Sequence, residues 1–122
     1  KMSWWHIEEK TIYPDDFKKG IRLIIELENE NKEPTKKDIK NETILKNVLE
    51  DNENFELFHW CRVVVTVIVD DFEAQSSRGQ CSFRTELDIL ESKILSDLVD
   101  DALFYLKDTI AENEGTDSNE YF

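Results

Sequence analysis

The run RVVVTVIV at residues 62–69 constrains the fold more than any other segment of the chain. After Arg62 every side chain in the run is β-branched, and apolar residues occupy both sets of alternating positions. β-Branched residues fit the pleated surface of a sheet, and a strand that is apolar on both faces is typically buried on both. The run therefore predicts a central β-strand.

A β-hairpin is predicted from the residues that follow this run. The segment 73–80 contains Ser76, Ser77 and Gly79, which favour turns. Residues 81–89 then alternate apolar and polar side chains, as a half-buried strand does. We expect a hairpin with a long loop centred near Ser76 and Ser77.

The two cysteines, Cys61 and Cys81, are too few for the disulfide framework of a small secreted domain. In the predicted hairpin Phe72 lies opposite Cys81 and Cys61 is far out of register, so the two sulfurs are not expected to meet. Two thiols fit a reducing environment. We therefore expect a cytoplasmic protein.

The strongest helical pattern lies at residues 90–112. At about 100° per residue its apolar side chains fill one broad face, which is expected to cover the sheet. They are Ile94, Leu95, Leu98, Val99, Ala102, Leu103, Leu106 and Ile110. After Glu114 the chain shows no periodicity and has few side chains to bury. We therefore expect residues 115–122 to form a mobile acidic tail.

Two further helices are predicted nearer the N-terminus. The sequence PDD at residues 14–16 is typical of a first helical turn, and apolar residues then recur at helical spacing, which predicts a helix over about 14–30. A strand that starts at Gly20 is the alternative, because apolar and polar residues also alternate there. A second helix, over about 36–50, follows the capping sequence TKKD. The arm WWHIEEKTI at residues 4–12 is either a short strand or irregular.

The fold class that these elements predict is α+β. Two N-terminal helices precede a central antiparallel β-hairpin, the N-terminal arm is open as a third strand, and a long C-terminal amphipathic helix packs on the sheet. With 122 residues the chain has room for one core. Residues 1–114 are therefore expected to form a single acidic domain, ahead of the mobile tail 115–122.

The net charge of −13 restricts the partners of the chain. Such a charge repels nucleic-acid phosphates and anionic lipid and favours basic partners. Residues 86–122 carry eleven acidic and two basic groups, so most of the field comes from the C-terminal third. The nearly apolar run 63–69 is far short of the roughly 20 residues that span a bilayer, and no charged-then-apolar leader is present. We expect no membrane span and no signal peptide.

Four common catalytic and nucleotide-binding motifs are missing from the sequence, namely GxxxxGK(S/T), GxGxxG, GxSxG and HExxH, although a Ser-His-Asp or Cys-His arrangement assembled in space stays open. The three glycines give little material for phosphate-binding loops. Four residues of zinc-binding type lack the required spacing: His6, His59, Cys61 and Cys81. Four carboxylates suited to a divalent cation fall in two separate places of the predicted hairpin: Asp70, Asp71, Glu86 and Asp88. We expect no enzyme activity, no cofactor and no metal.

One face of the C-terminal helix is the candidate functional site. Five carboxylates lie together opposite the apolar stripe, with an aromatic residue in their midst: Asp97, Asp100, Asp101, Phe104, Asp108 and Glu112. Carboxylates raise the rate of encounter with a basic partner, and a buried aromatic anchors the contact. The alternative is an ordinary solvated helix face, with Phe104 tucked under a loop or the N-terminal arm.

These features favour a small acidic inhibitor that occupies the basic surface of a nucleic-acid-handling enzyme such as a nuclease. In size, charge and lack of catalytic motifs, though in no matched motif, the chain is similar to the acidic immunity proteins that neutralise nuclease toxins. It is similar in the same way to phage-encoded DNA mimics that block host defence nucleases. The resemblance implies a basic protein partner.

Three other hypotheses stay open. Two helices followed by a hairpin have the order of a winged helix-turn-helix, and lysines between Lys32 and Lys46 would contact DNA phosphates. Acidic residues interspersed among those lysines disfavour direct nucleic-acid binding. A metal-dependent enzyme is the third choice. The arm that carries Trp4 and Trp5 leaves a homodimer open.

Overall fold

The computed structural model describes residues 4–29 and 61–122. These residues form an α+β domain, in which a four-stranded antiparallel sheet of order β1-β2-β3-β4 is followed by a C-terminal helix that packs on it. The strands are β1 Trp4–Ile12, β2 Ile21–Asn29, β3 Cys61–Val69 and β4 Phe72–Cys81. The helices are α1 Glu86–Glu91, α2 Lys93–Ala111 and a 3₁₀ turn at Ser118–Glu120. The predicted α+β class and the packing of the long C-terminal helix on the sheet are confirmed.

Strand β3 lies inside the sheet, as predicted. It pairs with β2 on one side and with β4 on the other. Both of its faces are buried, since Val65 is 0 % exposed on one face and Val64 is 6 % exposed on the other. Thr66, 3 % exposed, has its hydroxyl satisfied because Gln75 Nε2 donates to Oγ1 at 3.0 Å.

The helix predicted over 14–30 is wrong, because strand β2 occupies its second half. The alternative, a strand after Gly20, is correct, and its buried face consists of Ile21, Leu23, Ile25 and Leu27. Ile24 made the helical spacing plausible, but it lies on the opposite face of the sheet, paired with Thr66. Pairing with β1 and β3 decides the conformation of β2, and local spacing cannot report such pairing. The arm 4–12 is strand β1, and the helix predicted over 36–50 lies outside the described residues.

The hairpin after β3 turns earlier than predicted. Asp70 and Asp71 alone connect β3 to β4. Asp70 has a φ of 51°, a left-handed conformation that Asp tolerates better than most residues. The predicted loop around Ser76 and Ser77 therefore lies inside β4, which is an edge strand of the sheet.

The strand predicted over 81–89 is wrong, because helix α1 occupies its second half. Thr85 is the N-cap of α1, and its hydroxyl accepts a hydrogen bond from the backbone N–H of Asp88 at 3.2 Å. Ser92 caps α2 in the same way, by accepting from the N–H of Leu95 at 3.2 Å. These caps decide the local structure over the apolar-polar alternation. The helix predicted over 90–112 is α2.

Helix α2 packs mainly on β4 and β3. Its buried stripe is the predicted one, with Leu95, Leu98, Ala102, Leu106 and Ile110 buried and Ile94, Val99 and Leu103 partly buried against the same core. A helix is about 10 Å wide and neighbouring strands are about 4.8 Å apart, so one helix covers about two strands. The β1–β2 half of that face is consequently left beside a groove.

The C-terminal tail packs against the sheet, although the sequence predicted that it would bury little and be mobile. Tyr121 is 5 % exposed, and its carbonyl accepts a hydrogen bond from the N–H of Lys18 at 2.7 Å. The ring centroids of Tyr121 and Phe72 lie 5.7 Å apart in an edge-to-face arrangement. Those of Phe122 and Phe17 lie 5.9 Å apart in the same arrangement. The expectation of little burial is wrong because the last two residues of the tail are aromatic and find apolar neighbours in the sheet and the β1–β2 connection.

Removing Tyr121 and Phe122 should destabilise the domain. A chain that ends at Glu120 loses a buried aromatic side chain, so its melting temperature should fall by at least about 5 °C. Asn119→Ala, an exposed change in the same tail, is the control and should shift the melting temperature by less than about 3 °C. Equal melting temperatures for the full and shortened chains would show that Tyr121 does not belong to the core.

Asp70 ties the tail to the turn before β4. The Tyr121 hydroxyl donates to Asp70 Oδ2 at 2.6 Å, and Lys19 Nζ donates to the same oxygen at 3.0 Å. The hydrogen bond from Tyr121, followed by that from Lys19, holds the pKa of Asp70 below its ordinary value. The same carboxylate raises the pKa of Tyr121 and the pKa of Lys19.

Tyr121→Phe should make the stability of the domain less dependent on pH. The lowered pKa of Asp70 means that its contribution is present above the unfolded value, about 3.9, and is lost as pH falls through the folded pKa. The raised pKa of Tyr121 means that its contribution is present below about 10 and is lost as pH rises through the folded pKa. Urea unfolding across this range should show the largest difference between wild type and variant at intermediate pH. Tyr105→Phe, which alters an exposed tyrosine, should show no such window.

Candidate protein-binding site

All six residues of the predicted site lie on the exposed side of α2 and its C-cap. We call them the acidic face: Asp97, Asp100, Asp101, Phe104, Asp108 and Glu112. They face away from the sheet because the buried stripe of α2 takes the opposite side of the helix. The sequence pattern thus placed these side chains together on one surface.

Two aromatic rings are exposed within and beside the acidic face. Phe104 is 61 % exposed, so it is not tucked under a loop or the N-terminal arm. Tyr105 is 48 % exposed, and the two ring centroids lie 6.1 Å apart in an edge-to-face arrangement. Sequence reasoning missed Tyr105, although its position, about 80° around the helix from Asp97, indicates the border of the same face.

Two lysines of α2 lie near the acidic face. Lys93, at the start of the helix, falls within its angular range and is exposed. Lys107 lies at its flank, where it forms an ion pair with Asp16 and sits 5.5 Å from the ring centroid of Phe17. Its hydrogen bond holds the pKa of Asp16 below the ordinary value. The charge of Lys107 is therefore directed to the β1–β2 connection, and the acidic face stays strongly negative.

The carboxylates of the acidic face are poorly placed for the stability of α2. Asp108 lies in the last turn and Glu112 is the C-cap, where a helix carries partial negative charge, and no basic residue occupies that turn. Asp97 with Asp101, and Asp108 with Glu112, are like-charge pairs four residues apart. Such pairs destabilise an isolated helix by about 0.2–0.5 kcal/mol each. The helix is therefore held by its packed stripe.

A groove of about 500 Å³ borders the acidic face at Asp100. It lies between β1, β2 and the corner where α1 meets α2. Its apolar lining is Ile12, Leu23, Ile25, Leu90, Leu95 and Val99. Its polar rim is Glu8, Lys10, Glu91, Ser92, Ser96 and Asp100. Lys10 Nζ lies 3.6 Å from Glu8 Oε1. Lys10 is the one basic residue of the rim beside three carboxylates, so the rim is acidic overall.

The carboxylates considered for a divalent cation do not come together. Asp70 pairs with Lys19 and Tyr121, whereas Glu86 and Asp88 lie in the first turn of α1. Within residues 4–29 and 61–122, no three His, Cys, Asp or Glu side chains are grouped so that they could hold a metal ion. No helix in these ranges combines the length and apolar character needed to cross a membrane.

No protein-family model, curated protein or solved structure matches the chain. Inference about function therefore rests on the chemistry of the surface, of which the acidic face and its two exposed rings are the most distinctive part.

Phe104→Ala should leave the fold intact, whereas Leu106→Ala should not. Phe104 is 61 % exposed and Leu106 is 0 % exposed. We expect a change in the free energy of unfolding below about 1 kcal/mol for Phe104→Ala, and a loss of about 2–5 kcal/mol for Leu106→Ala. Urea denaturation of both variants measures this. A loss above about 2 kcal/mol for Phe104→Ala would make Phe104 a structural residue and remove it from the candidate site.

Proposed function

We propose that this domain is an acidic inhibitor that binds a basic protein partner through the acidic face of α2. The observation that carries the proposal is the exposed pair of Phe104 and Tyr105, bordered by exposed carboxylates. Aromatic residues dominate the binding energy of many protein interfaces, while charges around them steer the encounter. The surface supplies both.

The placement of the carboxylates supports a role other than helix stability. Like-charge pairs and acidic residues at the C-terminal end of α2 act against the helix that carries them. A face selected only for solubility gains equally from charges placed elsewhere on the surface. A partner with a cationic surface that binds this side of α2 accounts for the concentration of carboxylates there.

The charge spacing fits a partner that handles nucleic acid. From Asp97 to Glu112 the helix rises about 22 Å, and the four intervals between the five carboxylates average about 5.6 Å of rise. One strand of DNA carries one charge per about 3.4 Å of helix axis. The mean charge spacing along the acidic face is thus wider than that of one DNA strand but of the same order, which supports a nuclease or another nucleic-acid-handling enzyme as the partner. The groove beside Asp100 offers an adjoining site for a side chain of that partner.

Neutralising the acidic face should slow association, whereas Phe104→Ala should speed dissociation. Converting Asp97, Asp101 and Asp108 to Asn should reduce the association rate constant at low salt by about tenfold and flatten its salt dependence. Loss of an aromatic anchor costs about 2 kcal/mol, or about thirtyfold in affinity, mainly through the dissociation rate. Surface plasmon resonance with the purified partner measures both constants.

Matched variants separate the acidic face from net charge and general hydrophobicity. Asp15→Asn, Asp71→Asn and Glu73→Gln together remove three exposed charges that are not part of the acidic face. Leu87→Ala removes a side chain that is 60 % exposed, close to the exposure of Phe104. Both controls should bind like wild type. If they weaken binding as much as the variants of the acidic face do, the acidic face is not the binding site.

The partner is identified by capture from a lysate with the wild-type domain and all variants. The expected partner is retained by wild type and controls, lost with the variants of the acidic face, and displaced by duplex DNA. Direct binding of labelled duplex DNA to the domain in a gel shift would instead favour the winged-helix hypothesis. That hypothesis is weakened because its first helix, predicted over 14–30, contains strand β2.

A further inference from the structure

The two cysteines face each other across strands β3 and β4. Cys61 and Cys81 are Cα partners, at the end of the hairpin far from its turn. Their side chains are 0 % and 5 % exposed and belong to one hydrophobic core. The register predicted from the sequence, with Phe72 opposite Cys81, is wrong because Phe72 pairs with Val69. No disulfide joins the two sulfurs in the structure.

A β-bulge brings this pair into register. From the turn up to Val63, which is paired with Arg78, the hairpin ladder is regular, and its continuation would set Gln80 opposite Cys61. The register shifts between Cys61 and Val63, so that one additional residue of β4 is accommodated and Cys81 takes that place. Gln80 adopts a φ of 57°, a left-handed conformation that non-glycine residues rarely take. The hairpin thus departs from ideal geometry beside the two cysteines.

The spacing of such a pair suits a disulfide. Directly opposed residues of antiparallel strands have Cα atoms about 4.5–5.5 Å apart. A disulfide requires a Cα–Cα distance of about 4.4–6.8 Å. Both side chains also lie on the same side of the sheet, since they share one core. A bond between Cys61 and Cys81 is therefore compatible with the pairing of β3 and β4.

We propose that Cys61 and Cys81 form a dithiol that closes to a cross-strand disulfide by exchange with a small disulfide such as oxidised glutathione. Both cysteines are buried, but Cys81 is the less deeply buried and lies on an edge strand, so we expect it to react first. It loses its proton to solvent, and its sulfur attacks the small disulfide. A mixed disulfide forms, and one small thiolate leaves and is protonated.

The second step completes the exchange. Cys61 loses its proton, which the departing small thiolate takes up, and its sulfur attacks Cys81 Sγ in the mixed disulfide. The Cys61–Cys81 bond forms, and the second small thiolate leaves and is protonated. The protein has lost two electrons and two protons, and one small disulfide has become two thiols. The new bond closes the hairpin at its open end.

Disulfide formation and folding are thermodynamically linked. If the folded chain holds the thiols in position, the equilibrium constant for disulfide formation is larger in the folded chain than in the unfolded chain, and the disulfide stabilises the fold in proportion. We expect at least a tenfold larger constant in the folded state. The melting temperature of the oxidised protein should exceed that of the reduced protein by at least about 5 °C.

The experiment equilibrates the full chain with mixtures of reduced and oxidised glutathione, once in native buffer and once in concentrated guanidinium. To avoid slow access to buried thiols, the native sample is refolded directly into the glutathione mixture. Intact mass after acid quench should show a monomer that has lost two hydrogens, and peptide mapping should recover a Cys61–Cys81 link. Cys61→Ala and Cys81→Ala cannot close the bond and should each stop at one bound glutathione.

Three results would overturn the proposal. One is a folded protein that keeps two titratable thiols where the unfolded chain is oxidised. Another is a final product linked between two chains or carrying glutathione on both cysteines. The last is an oxidised protein that melts below the reduced protein. Each of these shows that the fold does not favour the cross-strand bond, and none depends on the partner of the acidic face.

Discussion

Strand β3 is hydrogen-bonded along both edges and buried on both faces, and the rest of the domain is arranged around that requirement. Its backbone groups need neighbours on each side, which β2 and β4 provide. Its apolar side chains need cover, and α2 provides it on one face. The position of α2 over β3 and β4 then fixes which side of the helix meets water. The burial of β3 determines where α2 packs. It therefore also determines that the acidic face points toward solvent, although no side chain of that face lies on β3.

The C-terminal half of α2 is anchored a second time, after the helix ends. Tyr121 reaches Asp70 in the turn between β3 and β4, and Phe122 reaches Phe17 between β1 and β2. Lys107, inside the helix, is paired with Asp16 of the same connection. These contacts join the helix to two separate turns of the sheet. They support a helix whose own charges, by their position, contribute little to its stability.

The sequence was sufficient where one element carries its own pattern. Strand β3 and helix α2 have continuous apolar patterns, and the pattern of α2 also placed the six residues of the acidic face on one side of the helix. The sequence left the exposure of Phe104 open, and the structure shows that it is exposed. Local sequence patterns predicted the wrong element where the pairing of strands decides the conformation. Ile24 fitted a helix because it is apolar, yet its partner across the sheet is Thr66. The loop expected at Ser76 is an edge strand, because two aspartates suffice for the turn. The groove is a tertiary feature, bounded by elements that are far apart in sequence, and no local pattern reports it.

The bulge at Gln80 and the acidic face are mechanically separate. The chain leaves β4 at Cys81 and enters α1 through Thr85, whose hydroxyl fixes the first turn of that helix. Ser92 then fixes the start of α2, and the buried stripe of α2 holds the helix on the sheet. The proposed bond between the cysteines would restrain the chain before the first of these caps, so we expect it to stabilise the hairpin without rotating α2. We therefore expect oxidation to change the stability of the sheet and to leave the surface of the acidic face unchanged.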